Sequence, residues 1–242
     1  MQFGPLFHLV TLAADRGYNW LDTSSAGAPS FERMCTAYEL GQRQGQTFPQ
    51  WMLDDAIQTL LDLRGSMIVR PTHSAPVILP DGSLRMMSWG FRRPVPGKTK
   101  LLWRTVVNSR EDKLAGRTWK EAFQERRCLV PAAAFYEWVA GPGKSMVPLR
   151  FERPGEEWIW IAGIWETDKE LGDVFSMITT EPTLDIGPIH DRMPAVLPED
   201  RLRPYLDGQL HEFGPSTVPL RWAAVENFLK LKVPPPEQGE LF

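Results

Sequence analysis

The sequence has few of the residues that build disulfide scaffolds and metal centres. Its 242 residues include two cysteines, Cys35 and Cys128, which allow one disulfide at most. Neither lies in a Cys-x-x-Cys pair, and the four histidines show no spacing typical of metal ligands. These absences argue against a disulfide-rich secreted domain and against a zinc site. We therefore expect no metal or cofactor, and two reduced thiols.

Long apolar runs are also absent. No segment reads as a membrane span or as a signal peptide with a basic start, so we expect a cytoplasmic protein with no membrane partner. The formal charge of −3 gives no basic excess of the kind that marks many nucleic-acid binders. However, 19 of the 27 basic residues are arginine, which suits bidentate phosphate contacts but equally reflects a GC-rich genome.

The apolar share of 43% and charged share of 24% are ordinary for a globular protein, and the length fits one large domain. Residues 1–33 combine a short apolar patch with a Ser/Ala/Gly/Pro stretch and show no sustained periodicity. We interpret them as a non-native or removable N-terminal extension. The main domain is predicted at 34–222, followed by a C-terminal tail at 223–242.

Hydrophobic periodicity indicates a strand-rich domain with a few helices. Pro80-Asp81-Gly82-Ser83 separates two strand patterns and is a strong hairpin signal, whereas Arg92 to Lys100 is predicted to be a Pro/Gly loop. Helices are predicted at 49–63, 119–126 and 198–206, and strands at 67–70, 75–79, 84–90, 105–107, 128–131, 134–138, 147–151, 158–164 and 174–180. The predicted fold is a single α+β domain with a curved, barrel-like, mainly antiparallel β core and inserted helices.

Glu137 is the acidic residue of an otherwise apolar and aromatic run. Strand alternation places Phe135 and Glu137 on one face and Tyr136 and Trp138 on the other. Partial desolvation of that carboxylate favours its protonated form, which suits a general acid and base. The alternative is a structural ion pair with Arg126 or Arg127.

His190 lies between two prolines in Pro188-Ile189-His190-Asp191-Arg192-Met193-Pro194, which predicts a fixed loop. Histidine transfers protons near neutral pH, although an ordinary loop histidine is an equal alternative. Asn108 and Arg110 follow an apolar strand and alternate onto one side. They could hold a carbonyl and a phosphate, or simply end the strand.

An aromatic residue is interleaved with basic residues in the segment that contains Trp89, Arg92, Arg93, Lys98, Lys100 and Arg104. This composition suits a groove for single-stranded nucleic acid, and equally a solvated loop. Cys128 follows two arginines but opens an apolar strand, so we interpret it as structural.

Met34 precedes Cys35 and offers a second possible start of the chain. If Met34 is removed, Cys35 carries a free α-amine beside its thiol. Such a 1,2-aminothiol condenses with an aldehyde to an imine and then closes a thiazolidine ring. An internal cysteine cannot do this, because its nitrogen belongs to a peptide bond.

Several motifs occur together in a fixed order: Met34-Cys35, Pro71-Thr72, Ala75-Pro76-Val77, Trp89-Gly90-Phe91, Asn108-Ser109-Arg110-Glu111, Arg127 to Ala132, Phe135-Tyr136-Glu137-Trp138, Ala162 to Trp165, Ile178-Thr179-Thr180 and Ile189 to Pro194. This ordered set is similar to that of the SOS response-associated peptidase (SRAP) family, whose members shield abasic sites in DNA. The resemblance runs from Met34 to about Tyr205.

The resemblance implies a thiazolidine crosslink between the N-terminal cysteine and the aldehyde of an abasic site in single-stranded DNA, formed by a monomer without a cofactor. It implies Cys35 as the nucleophile, Glu137 as the proton shuttle, His190 as the acid that opens the sugar ring, and Asn108 as an orienting residue.

For the DNA strand, the resemblance implies that Arg110 and Arg192 bind phosphates and that Pro71 and Trp89 shape a base-stacking surface. Thr180 is a supporting candidate on the same surface.

The chain departs from the family pattern in two places. Thr36-Ala37 stands where the family commonly has Gly-Arg, and Arg43 is a possible replacement for the missing phosphate contact. Residues 1–33 also precede a cysteine that the chemistry needs at the N-terminus. We therefore expect Met34 to be the true start, and the alternative is a thiol peptidase in which Cys35 and His190 remove residues 1–33.

Overall fold

A computed structural model describes residues 36–41, 48–63, 65–96, 101–141, 143 and 145–229. These residues form fourteen strands and three α-helices. The strands are β1 (Tyr38–Gly41), β2 (Ser66–Val69), β3 (Ser74–Ile78), β4 (Leu84–Trp89), β5 (Phe91–Pro96), β6 (Leu101–Val106), β7 (Asn108–Arg110), β8 (Arg127–Ala132), β9 (Ala134–Ala140), β10 (Met146–Glu152), β11 (Ile159–Asp168), β12 (Gly172–Thr180), β13 (Met193–Pro194) and β14 (Arg221–Ala224). The helices are α1 (Asp54–Leu61), α2 (Lys120–Glu125) and α3 (Glu199–Leu206).

Five strands close into a barrel in the order β11-β8-β3-β4-β12, because β12 pairs back onto β11. The β4–β12 contact is parallel and the other contacts of the ring are antiparallel. Two short strands, β7 and β13, flank the end of β12. The predicted barrel-like, mainly antiparallel α+β fold is confirmed.

A second sheet lies beside the barrel in the order β14-β10-β9-β1-β2, and all of its pairings are antiparallel. Only Ala133 separates β8 from β9, so the chain passes directly from the barrel into this sheet. The short strand β1 pairs with β9 on one side and β2 on the other. This arrangement fixes the described beginning of the chain next to β9.

The predicted β3–β4 hairpin is confirmed, and its turn has the chemistry that the sequence indicated. The Asp81 carboxylate accepts hydrogen bonds from the Ser83 amide (3.0 Å) and hydroxyl (2.6 Å). Gly82 has φ +83°, and a Cβ there would come within 2.3 Å of the Trp51 carbonyl oxygen. Glycine is therefore required both by the backbone conformation and by the close approach.

The predicted loop from Arg92 is wrong over the described part of that segment. Residues 91–96 form β5, which pairs with β6 as a separate two-stranded ribbon. Proline is compatible with this ribbon because a two-stranded ribbon leaves one edge of each strand unpaired. Lys98 and Lys100, named in the same prediction, lie outside the described residues.

The chain keeps packing on the second sheet beyond residue 222, the predicted end of the main domain. Strand β14 pairs with β10, the Val225 amide donates to the Pro148 carbonyl (3.0 Å), and the Phe228 ring packs 4.8 Å from that of Tyr136. These contacts attach the chain to the second sheet as far as Phe228. No helix in the described part of the chain is long and apolar enough to cross a membrane.

Candidate functional site

Most of the polar residues predicted to form the site lie near the end of β12. Strand β7 pairs with it in parallel, with Asn108 beside Met177 and Arg110 beside Thr179. The Ser109 side chain points inward and shares a 2.7 Å hydrogen bond with the Ser176 hydroxyl, so alternation turns its two neighbours the other way. Arg110 is exposed and Asn108 half-buried, as the spacing predicted.

His190 lies in the loop that leads into β13 and is 6% exposed. Its Nδ1 accepts a 3.1 Å hydrogen bond from the Arg192 amide, and Asp191 Oδ1 lies 3.0 Å from the same atom. Burial lowers the pKa of His190 and outweighs the favourable charge of Asp191. The neutral ring therefore prevails near pH 7.

Arg110 and Arg192 converge on one carboxylate. The Arg110 guanidinium binds Asp112 through two hydrogen bonds of 3.0 and 3.1 Å, and Arg192 Nη2 lies 3.8 Å from the same carboxylate. Arg192 also donates a 2.6 Å hydrogen bond to the Thr179 carbonyl. Hydrogen bonding to Arg110 holds the pKa of Asp112 below its ordinary value. This end of β12 therefore presents two guanidinium groups near one anionic group.

Thr180 is completely buried, and it does not present its hydroxyl to a DNA strand. That hydroxyl lies 2.5 Å from Glu111 Oε2 and 3.1 Å from the Gly214 carbonyl oxygen. Glu111 in turn accepts a 2.6 Å hydrogen bond from the Phe213 amide. Thr180 and Glu111 thus join β12 to the segment after α3.

Glu137 lies on β9 and is 1% exposed. Its register partner on β10 is Leu149, which is also buried. Arg126 binds Glu121 and the Trp165 carbonyl, while Arg127 donates to three backbone carbonyls. The alternative in which either arginine pairs with Glu137 is therefore not supported.

The register of β1 against β9 leads the chain towards Glu137. Tyr38 lies opposite Phe135, and the Tyr136 amide donates a 3.1 Å hydrogen bond to the Ala37 carbonyl. Continuing this register two residues beyond the start of β1 would bring Thr36 level with Glu137. Cys35 itself, like Arg43, lies outside the described residues.

Trp89 is completely buried, which corrects the prediction of an exposed stacking surface. Its ring meets Tyr38 edge to face at 5.1 Å and stacks on Phe175 at 6.4 Å. The indole N–H donates a 3.1 Å hydrogen bond to the Val107 carbonyl, immediately before Asn108. Trp89 therefore links the face of β1 that carries Tyr38 to the strand that carries Asn108.

Pro71 is half-buried in a tight turn beside Trp89. The His73 amide closes the turn on the Arg70 carbonyl (3.0 Å), and Thr72 has φ +74°, which is uncommon for a β-branched residue. A 2.8 Å hydrogen bond from the Thr72 amide to the Trp89 carbonyl holds this conformation. The turn leaves Pro71 partly exposed.

The described residues contain no group of three His, Cys, Asp or Glu side chains arranged to hold a metal ion. Cys128 is fully buried, and burial raises the pKa of its thiol far above the ordinary value. A thiol in that environment is a poor nucleophile, in agreement with the structural role predicted for it.

Sequence reasoning missed the carboxylates of Glu39, Glu111 and Asp112. Glu39 is buried in β1, where it binds Tyr136 and Arg150, and the other two organise the end of β12. The available signal was an acidic residue within an apolar strand, Tyr38-Glu39-Leu40, and two acids directly after the Asn108-Ser109-Arg110 motif.

The fold and site define a class of β-barrel protein in which β7 and the loop before β13 bring two guanidinium groups, Arg110 and Arg192, to the end of β12, while the adjoining sheet carries a buried carboxylate, Glu137. The sequence model of the SOS response associated peptidase (SRAP) family matches residues 34–226. The chain therefore belongs to the SRAP family. The match begins one residue before Cys35.

Relatives of this chain are named for abasic sites. It is 26% identical over 182 residues to abasic site processing protein YobE of Bacillus subtilis, covering 72% of this chain and 82% of that protein. It is 31% identical over 150 residues to YoaM of the same organism, covering 57% and 64%. Abasic site processing protein HMCES of Gallus gallus is 29% identical over 216 residues, covering 73% and 61%.

Solved structures share the fold. A crystal structure of a protein from Bacteroides thetaiotaomicron superposes with a TM-score of 0.62 at 19% identity and covers 81% of this chain and 95% of that one. A protein from Bordetella bronchiseptica gives a TM-score of 0.59 at 21% identity, covering 80% and 100%. At these identities the likeness extends to the fold alone.

Proposed function

We propose that this protein recognises abasic sites in single-stranded DNA and caps them through a thiazolidine at Cys35 once that residue is N-terminal. The observation that carries the proposal is the register of β1 on β9. This register directs the chain that begins at Cys35 towards a buried carboxylate, Glu137. The proposal is also supported by the relatives of this chain that are named as abasic site processing proteins.

The chemistry is balanced without a cofactor. The Cys35 amine attacks the C1′ aldehyde of the opened sugar to give a carbinolamine, which loses one water to form an iminium ion. The thiolate then adds to that carbon and closes the five-membered ring. The net change is the loss of one water, and each step moves a proton, which one carboxylate held beside the amine can accept and return.

His190 assists the earlier step, in which the closed sugar opens to the aldehyde. Its imidazolium protonates the ring oxygen as the C1′–O bond breaks. Because burial lowers the pKa of His190, the imidazolium is scarce at neutral pH but is a stronger acid than an exposed histidine. Asn108, at the start of β7, orients the sugar and the amine through its amide.

The DNA strand lies across the end of β12 in this proposal. Arg110 and Arg192 bind phosphates on either side of the lesion, and Pro71 offers an apolar edge against which a neighbouring base can stack. Trp89 supports this surface from below, since its ring is buried. One copy of the chain, acting in the cytoplasm, is sufficient for the reaction.

The test is the intact mass of the purified protein before and after incubation with an abasic single-stranded oligonucleotide. A chain that begins at Cys35 and gains the oligonucleotide mass less one water supports the proposal. A chain that begins at Cys35 without forming an adduct contradicts it. The peptidase alternative instead predicts that the full chain releases residues 1–33 by itself and that no DNA adduct forms.

Arg110→Ala is expected to weaken DNA binding by about 1.5–3 kcal/mol, the value of a charge-assisted hydrogen bond, because one phosphate contact is lost. The salt dependence of log Kd should also fall by roughly 0.7, the contribution of one phosphate on a single strand. Both quantities can be measured by fluorescence anisotropy with a crosslinking-deficient chain.

Arg203→Ala is the matched control for Arg110→Ala. Arg203 is exposed to a similar extent, 45% against 52%, and is likewise paired with a nearby aspartate, Asp207. It lies on α3, so its loss should leave affinity unchanged. Equal effects of the two substitutions would remove Arg110 from the binding surface.

A further inference from the structure

One buried ionic network joins the first described strand to its neighbours. The Glu39 carboxylate on β1 accepts hydrogen bonds from the Tyr136 hydroxyl (2.7 Å) on β9 and from Arg150 Nε (2.7 Å) and Nη2 (3.2 Å) on β10. Arg150 also pairs with Glu152, which binds Arg221 on β14. Glu39 is 8% exposed, and Arg150 and Glu152 are half-buried, so the inner part of the network lies inside the protein while Arg221 is at the surface.

The network lies on the opposite face of the sheet from Glu137. Arg150 is the register partner of Tyr136, and Glu39 pairs with Ala134, so these side chains share one face. The alternate positions Tyr38, Phe135 and Glu137 occupy the other face. The network therefore holds β1 from the face of the sheet opposite Glu137.

The ladder between β1 and β9 is short in the described part of the chain. Tyr38 and Glu39 pair with Phe135 and Ala134, and two hydrogen bonds, from the Ala133 amide to Glu39 and from the Tyr136 amide to Ala37, flank them. Arg150 reaches across β9 to Glu39 and ties a third strand to β1. The ion pair between Arg150 and Glu39 therefore adds to a short β1–β9 ladder at the point where the chain enters the sheet.

The charge state of the network is fixed over a wide pH range. Burial acts to raise the pKa of the Glu39 carboxyl, but hydrogen bonds from Arg150 and Tyr136 outweigh burial and hold the pKa below its ordinary value. Burial, followed by the hydrogen bond to Glu39, raises the pKa of Tyr136. The carboxylate, phenol and guanidinium therefore keep these forms throughout the neutral range.

We propose that Glu39, held by Tyr136 and Arg150, is a positioning residue for the nucleophile: it fixes β1, and with it the path of the chain that follows Cys35, relative to Glu137. This inference rests on the proposed crosslinking function. A reacting group that is misplaced by about 1 Å loses on the order of a hundredfold in rate, although substrate binding is unaffected. The expected signature is a slower reaction at full DNA occupancy.

The test is single-turnover crosslinking over a range of abasic-DNA concentrations, which separates the limiting rate constant from the half-saturating concentration. Glu39→Gln is expected to lower the limiting rate about 10- to 100-fold and to leave the half-saturating concentration within about twofold. Tyr136→Phe, which removes only a hydroxyl, should give a smaller loss of the same kind. Because the three groups act as a unit, adding Arg150→Met to Glu39→Gln should slow the reaction little further.

Two controls separate positioning from general destabilisation. Arg221→Met breaks the outer ion pair with Glu152 but leaves Glu39 and its partners in place, so the limiting rate should not change. Leu202→Ala removes a buried side chain of α3 and lowers the melting temperature without touching β1. It should crosslink at the wild-type rate at a temperature where it is folded.

Each outcome decides between defined alternatives. A wild-type limiting rate in both Glu39→Gln and Tyr136→Phe overturns the inference. A rate that follows the melting temperature across all variants, Leu202→Ala included, also overturns it, because the network is then merely structural. Absence of crosslinking in the wild-type chain would instead be a failure of the proposed function.

Discussion

A chain that begins at Cys35 is expected to form a heat-stable adduct with an abasic oligonucleotide, and Cys35→Ser is expected to abolish it. Without sulfur the reaction stops at the imine, which water hydrolyses. Intact mass and denaturing electrophoresis measure the adduct directly. The serine variant keeps its amine, so borohydride should still trap it on the DNA, which would show that binding and amine attack survive.

The amine is tested separately from the thiol. A chain that retains residues 1–34 has Cys35 nitrogen in a peptide bond, whose lone pair is delocalised into the carbonyl and is not nucleophilic. It should form neither the stable adduct nor the trapped imine. Cys128→Ala is the control, because that thiol is buried in β8 and should not contribute. An adduct from the extended chain, or its loss in Cys128→Ala, would contradict the aminothiol mechanism.

Local signals in the sequence were sufficient for the hairpin and the helices. Pro80-Asp81-Gly82-Ser83 carries its own turn chemistry. Apolar spacing predicted α2 and α3 to within one residue at each end, whereas α1 begins five residues later than predicted. Alternation correctly assigned Glu137 to a buried strand face, because a period of two separates the faces of any strand.

The errors arose where long-range packing decides the outcome. Trp89 precedes a glycine and basic residues, which suggested a surface aromatic, but Tyr38, 51 positions earlier in the sequence, covers its ring. Strand β14 is an edge strand with mostly exposed side chains and so has no apolar alternation to reveal it. Pro94 and Pro96 suggested a loop, yet β5 accommodates them in a ribbon outside the barrel.

The same limitation applies to the site. The motifs containing Asn108, Arg110, His190 and Arg192 are separate in sequence, and only the pairing of β7 and β13 with β12 shows that they meet. The partners of Glu39 are 97 and 111 residues away, so no local pattern could identify that network.

Glu137→Gln is expected to slow both formation and reversal of the crosslink by about 10²–10⁴-fold, the usual contribution of a general acid–base group. Glutamine preserves the shape of the side chain but can neither accept nor return the protons of the amine, the leaving water and the thiol. Rates can be followed by quenching time points for formation, and by transfer of the released protein to a second oligonucleotide for reversal.

Formation and reversal pass through the same transition states, so a catalytic group accelerates them equally and leaves the final yield unchanged. Glu137→Gln should therefore reach the wild-type yield slowly, with wild-type DNA affinity and an unchanged melting temperature. A reduced yield or affinity would show that Glu137 stabilises the bound state, and wild-type rates would exclude it from the reaction. If instead both rates fall together at constant yield, Glu137 is the group that transfers protons during the reaction, as the register of β1 on β9 led us to propose.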